Sequence, residues 1–144
     1  MTRVVGVIGG GQLARMMTPP AINLGLEIYV LAKESYESAK IAVTALGDHT
    51  DAQAVLNFAR ECDVVTFDHE HVPQTVLAQL VEAGVNVHPK PEALLYAQDK
   101  LLMRRKLAEL GVPITQLGRV YQFGDGLDVP GGTPTSFFAP NIQA

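Results

Sequence analysis

Short apolar runs alternate with longer amphipathic segments along most of the chain. Runs of about five β-branched and aliphatic residues, ended by glycine or polar residues, are typical of strands buried on both faces of a sheet. Segments with apolar positions three and four residues apart are typical of helices. The pattern predicts strands over residues 3–9, 26–31, 41–46, 63–67 and 85–88, and helices over 12–24, 52–61, 73–82, 91–98 and 99–110.

Strands separated by helices indicate right-handed crossovers and therefore a parallel sheet. We predict an α/β fold, a parallel Rossmann-like sheet of about five strands with helices on both faces. Pro19 and Pro20 should break or kink the first helix, since neither ring nitrogen can donate to the helical ladder. Ligands of such sheets bind beyond the carboxyl ends of the strands, so the loops over residues 9–12, 32–35 and 68–72 should converge there.

Composition narrows the classes of function. The 144 residues are of single-domain size, and 47% apolar content is enough for a core. The net charge is −4, whereas nucleic-acid-binding proteins typically carry an excess of basic residues. The apolar runs are too short to span a membrane. The single cysteine, Cys62, excludes an internal disulfide and favours the reducing cytoplasm, and we expect it to be a small buried side chain.

The first predicted strand runs into three glycines, and a helix follows at once. Glycine removes the Cβ that would block a ligand. A helix N-terminus offers unpaired N–H groups and the positive end of its dipole to an anion. Bare amides at this turn could therefore bind a phosphorylated small molecule, and the amide of Gln12 could donate and accept further hydrogen bonds. In the alternative interpretation, the glycines only allow tight packing between strand and helix.

The same turn fits a dinucleotide-binding pattern, Gly-x-Gly-x-x-Ala, from Gly9 to Ala14. Glu34 lies near the end of the second predicted strand, where a ribose-binding acid would be expected. This alternative would make the chain the NAD(P)- or FAD-binding domain of an oxidoreductase.

Four ionisable residues, Asp68 to His71, directly follow the fourth predicted strand. They are poor material for a core, so they should face a ligand or solvent. Glu70 could accept hydrogen bonds from an amine or from ribose hydroxyls. His69 and His71 could reach a metal together with Glu70, but two histidines on a loop are more often surface residues, so we predict no metal site.

Another polar cluster begins the last predicted helix. Asp99 could cap this helix, and Lys100 and Arg104 lie four residues apart on one helix face. The basic pair could contact a polyphosphate, or it could be an ordinary solvated face.

Four segments in a fixed order resemble one known family. They cover residues 9–16, 62–73, 89–91 and 97–100. Together they resemble the N-terminal part of the 5-(carboxyamino)imidazole ribonucleotide synthetases, the ATP-grasp enzymes of bacterial and fungal purine synthesis. The resemblance extends from residue 3 to about residue 120. It departs from the usual E-F-E-N-V-P pattern at Asp68, His69 and His71, of which His71 replaces an asparagine.

The resemblance implies a ligase that carboxylates 5-aminoimidazole ribonucleotide with ATP and bicarbonate, while Mg²⁺ neutralises the phosphates. It also implies a homodimer and an ATP contact from Lys100. The substrate-binding residues that it implies are Gly10, Gly11, Gln12, Leu13, Glu70 and His71.

We expect a pre-ATP-grasp domain over residues 1–98, a helix and the start of a linker over 99–120, and an irregular tail over 121–144. No lysine follows Lys106 and no arginine follows Arg119, so the cationic clamp for a phosphoryl group is missing. We therefore expect a truncated ligase that lacks the ATP-grasp domain. Such a fragment would carry no catalytic residues, bind neither ATP nor Mg²⁺ firmly, and be inactive alone.

Overall fold

A computed structural model describes residues 2–113 of the chain. The chain divides into two compact units at Gln98. The predicted tail over 121–144, and the end of the predicted linker, lie outside the described residues. The elements are β1 (Val4–Ile8), α1 (Gln12–Asn23), β2 (Glu27–Ala32), β3 (Val43–Leu46), α2 (Ala52–Ala59), β4 (Val64–Phe67), α3 (Gln74–Glu82), α4 (Pro91–Gln98) and α5 (Lys100–Glu109).

The strands of the first unit form one parallel sheet in the order β3-β2-β1-β4. β1 is central, and its last residue, Ile8, lies opposite both Leu31 of β2 and Phe67 of β4. The register between β2 and β3 is irregular between Val30 and Leu31. The carboxyl ends of all four strands therefore lie at one edge of the sheet, and the predicted parallel α/β fold is confirmed.

The prediction of about five strands is wrong by one, since the described residues form a four-stranded sheet. Residues 85–88 make a single parallel bridge, in which Val87 lies opposite Val65. Val65 accepts an N–H from His88 at 2.9 Å, and the next residue is Pro89. Val65 also donates its N–H to the backbone oxygen of Asn86 at 2.9 Å, so residues 85–88 pair with β4 only around this one bridge.

The first helix passes through both of its prolines. α1 runs to Asn23 with Pro19 and Pro20 inside it, so the predicted break is absent. Both prolines are exposed, and the carbonyl groups that lose their helical donors, one turn earlier, also belong to exposed residues that water can reach. The helix ends before Gly25, whose φ of +67° suits a left-handed terminating residue.

Two apolar clusters lie on opposite faces of the sheet. The larger packs under α2, α3 and α4, and the smaller packs under α1. β1 contributes Ile8 to the larger cluster and Val7 to the smaller one, because successive side chains of a strand point to opposite faces. α3 contributes Val76, Leu77 and Leu80 to the core, whereas the apolar side chain of Val81 is 52% exposed. No helix among residues 2–113 is long and apolar enough to cross a membrane.

Cys62 packs against the larger cluster but is only half-buried. A Cβ added to Gly6 of β1 would lie 2.5 Å from its Sγ, so the glycine makes room for the thiol. Burial, followed by the nearby charges of Glu61 and Asp63, raises the pKa of Cys62 to about 11. A thiol with this pKa is poorly nucleophilic near neutral pH, in agreement with the predicted packing role.

Candidate functional site

The turn between β1 and α1 is packed tightly between two neighbouring loops. Gly9 has a φ of +106°, which favours glycine, and a Cβ there would lie 2.9 Å from the Cβ of Asp68. Gly10 is buried, and a Cβ there would lie 2.7 Å from Ala32 and 2.8 Å from Oε2 of Glu37. At these two positions the absence of a side chain therefore serves close packing.

The carboxylate of Asp68, directly after β4, caps α1 from the neighbouring strand. Its Oδ2 accepts the N–H of Gly11 at 2.8 Å, and its Oδ1 accepts the N–H of Ala14 at 2.7 Å. The expectation of bare amides at the turn is therefore wrong for Gly11 and Ala14. Within residues 2–113, the N–H groups of Gln12 and Leu13 have no acceptor, and both side chains are exposed.

Gln98, the last residue of α4, forms hydrogen bonds to the second half of the loop after β4. Its Nε2 donates to the backbone oxygens of Glu70 at 2.7 Å and of Val72 at 2.8 Å, and its Oε1 accepts from Nε2 of Gln74 at 2.8 Å. The carboxylate of Glu70 is half-buried and makes no hydrogen bond to any residue that the structure describes. Sequence reasoning missed the role of Gln98, although this residue lies in one of the four segments that carry the resemblance.

Three histidine rings meet at this edge of the sheet. The ring centroids of His49 and His69 are 4.7 Å apart, those of His69 and His71 are 5.4 Å apart, and Nδ1 of His69 accepts the N–H of His71 at 3.2 Å. Burial, followed by the neighbouring rings of His49 and His71, lowers the pKa of His69, so this ring is mainly neutral at pH 7. Sequence reasoning did not connect His49, in the loop after β3, with His69 and His71. No group of three or more potential metal ligands could hold an ion among residues 2–113.

A cavity of about 200 Å³ opens where the four strands end. The predicted convergence of the loops after β1, β2 and β4 is found here, together with the loop after β3, which sequence reasoning missed. Glu37 lines this cavity, and its Oε1 accepts the N–H of Glu34 at 2.8 Å, whereas Glu34 itself is exposed and does not line it. The cavity is lined by Gly9, Leu31, Lys33, Glu37, Gly47, His49 and His69.

The lysine of this cavity is already paired. Nζ of Lys33 lies 2.9 Å from Oδ2 of Asp48. The hydrogen bond from Lys33, followed by those from Thr50, holds the pKa of Asp48 well below its usual range, and Asp48 in turn raises the pKa of Lys33. Because both groups are open to solvent, the pair adds little to stability.

The structure brings the predicted substrate-binding residues to one edge of the sheet. The β1–α1 turn and the first turn of α1 carry Gly10, Gly11, Gln12 and Leu13. The loop after β4 carries Glu70 and His71, and the side chain of His71 is exposed. Asp68, which joins the turn to the loop, was singled out by sequence only as one of four ionisable residues.

The remaining predicted residue, Lys100, belongs to the second unit. It is exposed in the first turn of α5, where Asp99 caps the helix as predicted and accepts the N–H of Leu102 at 2.9 Å. A cation at this position is disfavoured by the helix dipole, and the carboxylate of Asp99 offsets part of that cost.

Known proteins are similar to this chain in sequence and in architecture. The ribonucleotide synthetase preATP-grasp domain matches residues 1–98. The chain is 44% identical over 127 residues to N5-carboxyaminoimidazole ribonucleotide synthase of Corynebacterium ammoniagenes, which covers 87% of this chain and 31% of that protein.

Solved structures give the same result. The fold is similar to N5-carboxyaminoimidazole ribonucleotide synthetase from Thermotoga maritima, with a TM-score of 0.71 and 30% identity over 80% of this chain and 33% of that one. It is also similar to N5-carboxyaminoimidazole synthase from Aspergillus clavatus in complex with ADP and 5-aminoimidazole ribonucleotide, with a TM-score of 0.69 and 33% identity over 80% of this chain and 31% of that one. The chain thus spans about a third of the length of the relatives that it matches.

Proposed function

The chain belongs to the ribonucleotide synthetase preATP-grasp family, and on that ground we propose that it is the N-terminal, substrate-binding part of a purine-synthesis ligase. The whole ligase would carboxylate 5-aminoimidazole ribonucleotide with ATP and bicarbonate to give 5-(carboxyamino)imidazole ribonucleotide. The observation that carries the proposal is that the glycine turn and the Glu70 loop, the two most specific family segments, meet at the carboxyl edge of the sheet. The ribonucleotide-bound relative supports the choice of substrate.

Each predicted residue has a role in this proposal. Gly10 and Gly11 keep the turn compact, while Gln12 and Leu13 present free N–H groups and exposed side chains to the ribonucleotide. Glu70 is the chief recognition group, because its carboxylate has no partner among the described residues and can accept hydrogen bonds from the exocyclic amine or the ribose hydroxyls.

His71 completes the proposed binding edge beside Glu70. Its exposed ring takes the position of the asparagine of the related loops and offers one donor and one acceptor in the neutral state. In the whole ligase, the exocyclic amine of the ribonucleotide would capture the carboxyl group of carboxyphosphate while inorganic phosphate leaves. Glu70 would orient that amine without forming a bond to it.

ATP would be contacted by Lys100, which is exposed at the start of α5. The ADP in the related structure supports nucleotide use by the family. Residues 2–113 contain no cluster that could hold Mg²⁺, so in this proposal the ion that accompanies ATP is held by other parts of the ligase. The 144-residue chain would bind the ribonucleotide without completing the reaction and would hold neither ATP nor Mg²⁺ firmly. A cytoplasmic homodimer is the proposed state of the ligase.

Isothermal titration of the 144-residue chain with 5-aminoimidazole ribonucleotide tests the proposal. We expect saturable binding. Glu70→Gln should weaken it by about tenfold or more, since a hydrogen bond to a charged group contributes about 1.5–3 kcal/mol. Gln12→Ala should weaken it less, since a hydrogen bond between neutral groups contributes about 0.5–1.5 kcal/mol. Gln79→Ala and Glu82→Gln, on exposed positions of α3, are matched controls that should bind as the unchanged chain does.

Two results would contradict the proposal. One is the absence of saturable binding, and the other is equal binding by the site variants and the α3 controls. Titration with NADH, followed by nicotinamide fluorescence, tests the oxidoreductase alternative in the same samples, and we expect no binding.

A further inference from the structure

The carboxylate of Asp68 joins the glycine turn to the loop that carries Glu70. Building on the function proposed above, we propose that Asp68 is a positioning and specificity residue, which holds the turn in place and keeps the phosphate of the ribonucleotide out of it. Its two oxygens accept the N–H groups of Gly11 at 2.8 Å and Ala14 at 2.7 Å, 57 and 54 residues away in sequence. The two segments of the site are thereby fixed to each other.

The two hydrogen bonds change the charge that a ligand meets at the turn. An open helix N-terminus attracts anions, but here a carboxylate already occupies that position. Glu37 brings a second carboxylate close, since its Oε2 lies 2.8 Å from the point where a Cβ of Gly10 would be. The nearest cavity lysine, Lys33, is engaged with Asp48. A phosphate at the turn would therefore face two carboxylates at short range, which is repulsive.

The turn still offers donors to an uncharged group. The N–H groups of Gln12 and Leu13 have no acceptor within residues 2–113, and the amide of Gln12 is exposed. A ring nitrogen or a ribose hydroxyl can accept from these donors without adding negative charge, and an amine can donate to the carboxylate of Glu70 nearby in the adjoining loop. The ribonucleotide is therefore oriented with its aminoimidazole and ribose toward the turn and with its phosphate directed away.

Titration of the ¹⁵N-labelled chain with inorganic phosphate tests the exclusion directly. In the unchanged chain we expect no saturable shifts of the amide signals from Gly11 to Ala14, whereas in Asp68→Asn we expect saturable shifts with at least about tenfold tighter binding, since the repelling charge is gone. Asp68→Glu keeps the charge and should behave like the unchanged chain. Asp63→Asn is the matched control, because the Asp63 carboxylate also accepts a backbone N–H, from Val4 at 2.7 Å, at the opposite end of β4.

Saturable phosphate binding at these amides in the unchanged chain would overturn the proposal, even if Asp68→Asn does not fold. So would a folded Asp68→Asn that gains no phosphate binding.

A second titration compares the ribonucleotide with its ribonucleoside, which lacks the phosphate. We expect both ligands to shift the amide signals of Gln12 and Leu13 in the same pattern, the ribonucleoside with weaker affinity. Loss of the turn shifts with the ribonucleoside would overturn the proposed orientation. If neither ligand binds, the proposed function fails, while the phosphate titration still decides whether Asp68 excludes an anion.

Discussion

The side-chain Nε2 of Gln98 lies 2.7 Å from the backbone oxygen of Glu70, so the end of α4 is hydrogen-bonded to the loop that follows β4. The same nitrogen donates to Val72, which is fully buried in the larger apolar cluster. The loop is therefore anchored at the backbone of Glu70 and again two residues later at Val72. Because the backbone of Glu70 is held in this way, its carboxylate can be presented to a ligand without contacts of its own.

Replacement of Gln98 should weaken both the fold and the site. Gln98→Ala removes two hydrogen bonds to the loop, and we expect the free energy of unfolding to fall by about 1–3 kcal/mol. Gln98→Glu should cost more, since a carboxylate would then face two carbonyl oxygens. Urea denaturation measures the first effect, and titration with 5-aminoimidazole ribonucleotide measures the loss of affinity that follows from a looser Glu70.

Gln79→Ala is the control for this experiment, because Gln79 is exposed on α3 and its side chain makes no hydrogen bond within residues 2–113. Its unfolding free energy should stay within about 0.5 kcal/mol of the unchanged chain. Equal stability of Gln98→Ala and Gln79→Ala would show that the two hydrogen bonds do not anchor the loop.

His69 should make the stability depend on pH. Burial and the rings of His49 and His71 lower its pKa in the folded chain below the ordinary 6.5. Between the folded and unfolded pKa values the unfolded chain binds more protons, so the contribution of His69 is complete above about pH 6.5 and is lost as the pH falls through that value. In His69→Phe, which keeps an aromatic ring beside His49, the unfolding free energy should fall less between about pH 7 and about pH 5.

Urea denaturation at the two pH values measures this difference. His88→Asn is the control, since His88 is exposed and its ring nitrogen lies 2.9 Å from the side-chain oxygen of Asn86. The prediction is refuted if His69→Phe loses as much stability on acidification as the unchanged chain does.

Cys62 should react slowly with alkylating reagents in the folded chain. Its pKa of about 11 leaves a thiolate fraction about 100-fold below that of an ordinary thiol near neutral pH. Because a thiolate of higher pKa is intrinsically more nucleophilic, we expect iodoacetamide to modify the folded chain at least about tenfold more slowly than the urea-unfolded chain, which serves as the internal reference. Mass spectrometry of quenched samples gives both rates, and equal rates would contradict a shielded thiol.

The sequence was sufficient for features that depend on local patterns. The apolar run of β1 and the glycines after it predict a strand that is followed by a turn and a helix, and all three are found. Asp99 caps α5 as its position predicts. The sequence also predicts correctly that the polar loop after β4 lies at the carboxyl edge of the sheet. Ionisable residues that follow a buried strand are costly to bury, so they lie where a ligand or solvent can reach them.

The contacts that define the site could not be read from local patterns. Asp68 and Gly11 are 57 residues apart, and Gln98 and Glu70 are 28 residues apart. Whether such side chains meet depends on strand register and rotamers, which periodicity does not encode. For the same reason the phosphate-binding interpretation of the glycine turn overlooked the carboxylate that occupies it. His49 was missed because the short β3, which brings its loop to the cavity, has a weak pattern.

The outer strand β3 affects the tendency of this chain to aggregate at the concentrations that titrations require. It is four residues long, and its register with β2 is interrupted between Val30 and Leu31. Short, irregular border strands offer a second molecule few aligned backbone groups, so they discourage the sheet-to-sheet association that leads to aggregates. Lengthening β3 or regularising its pairing would remove that protection.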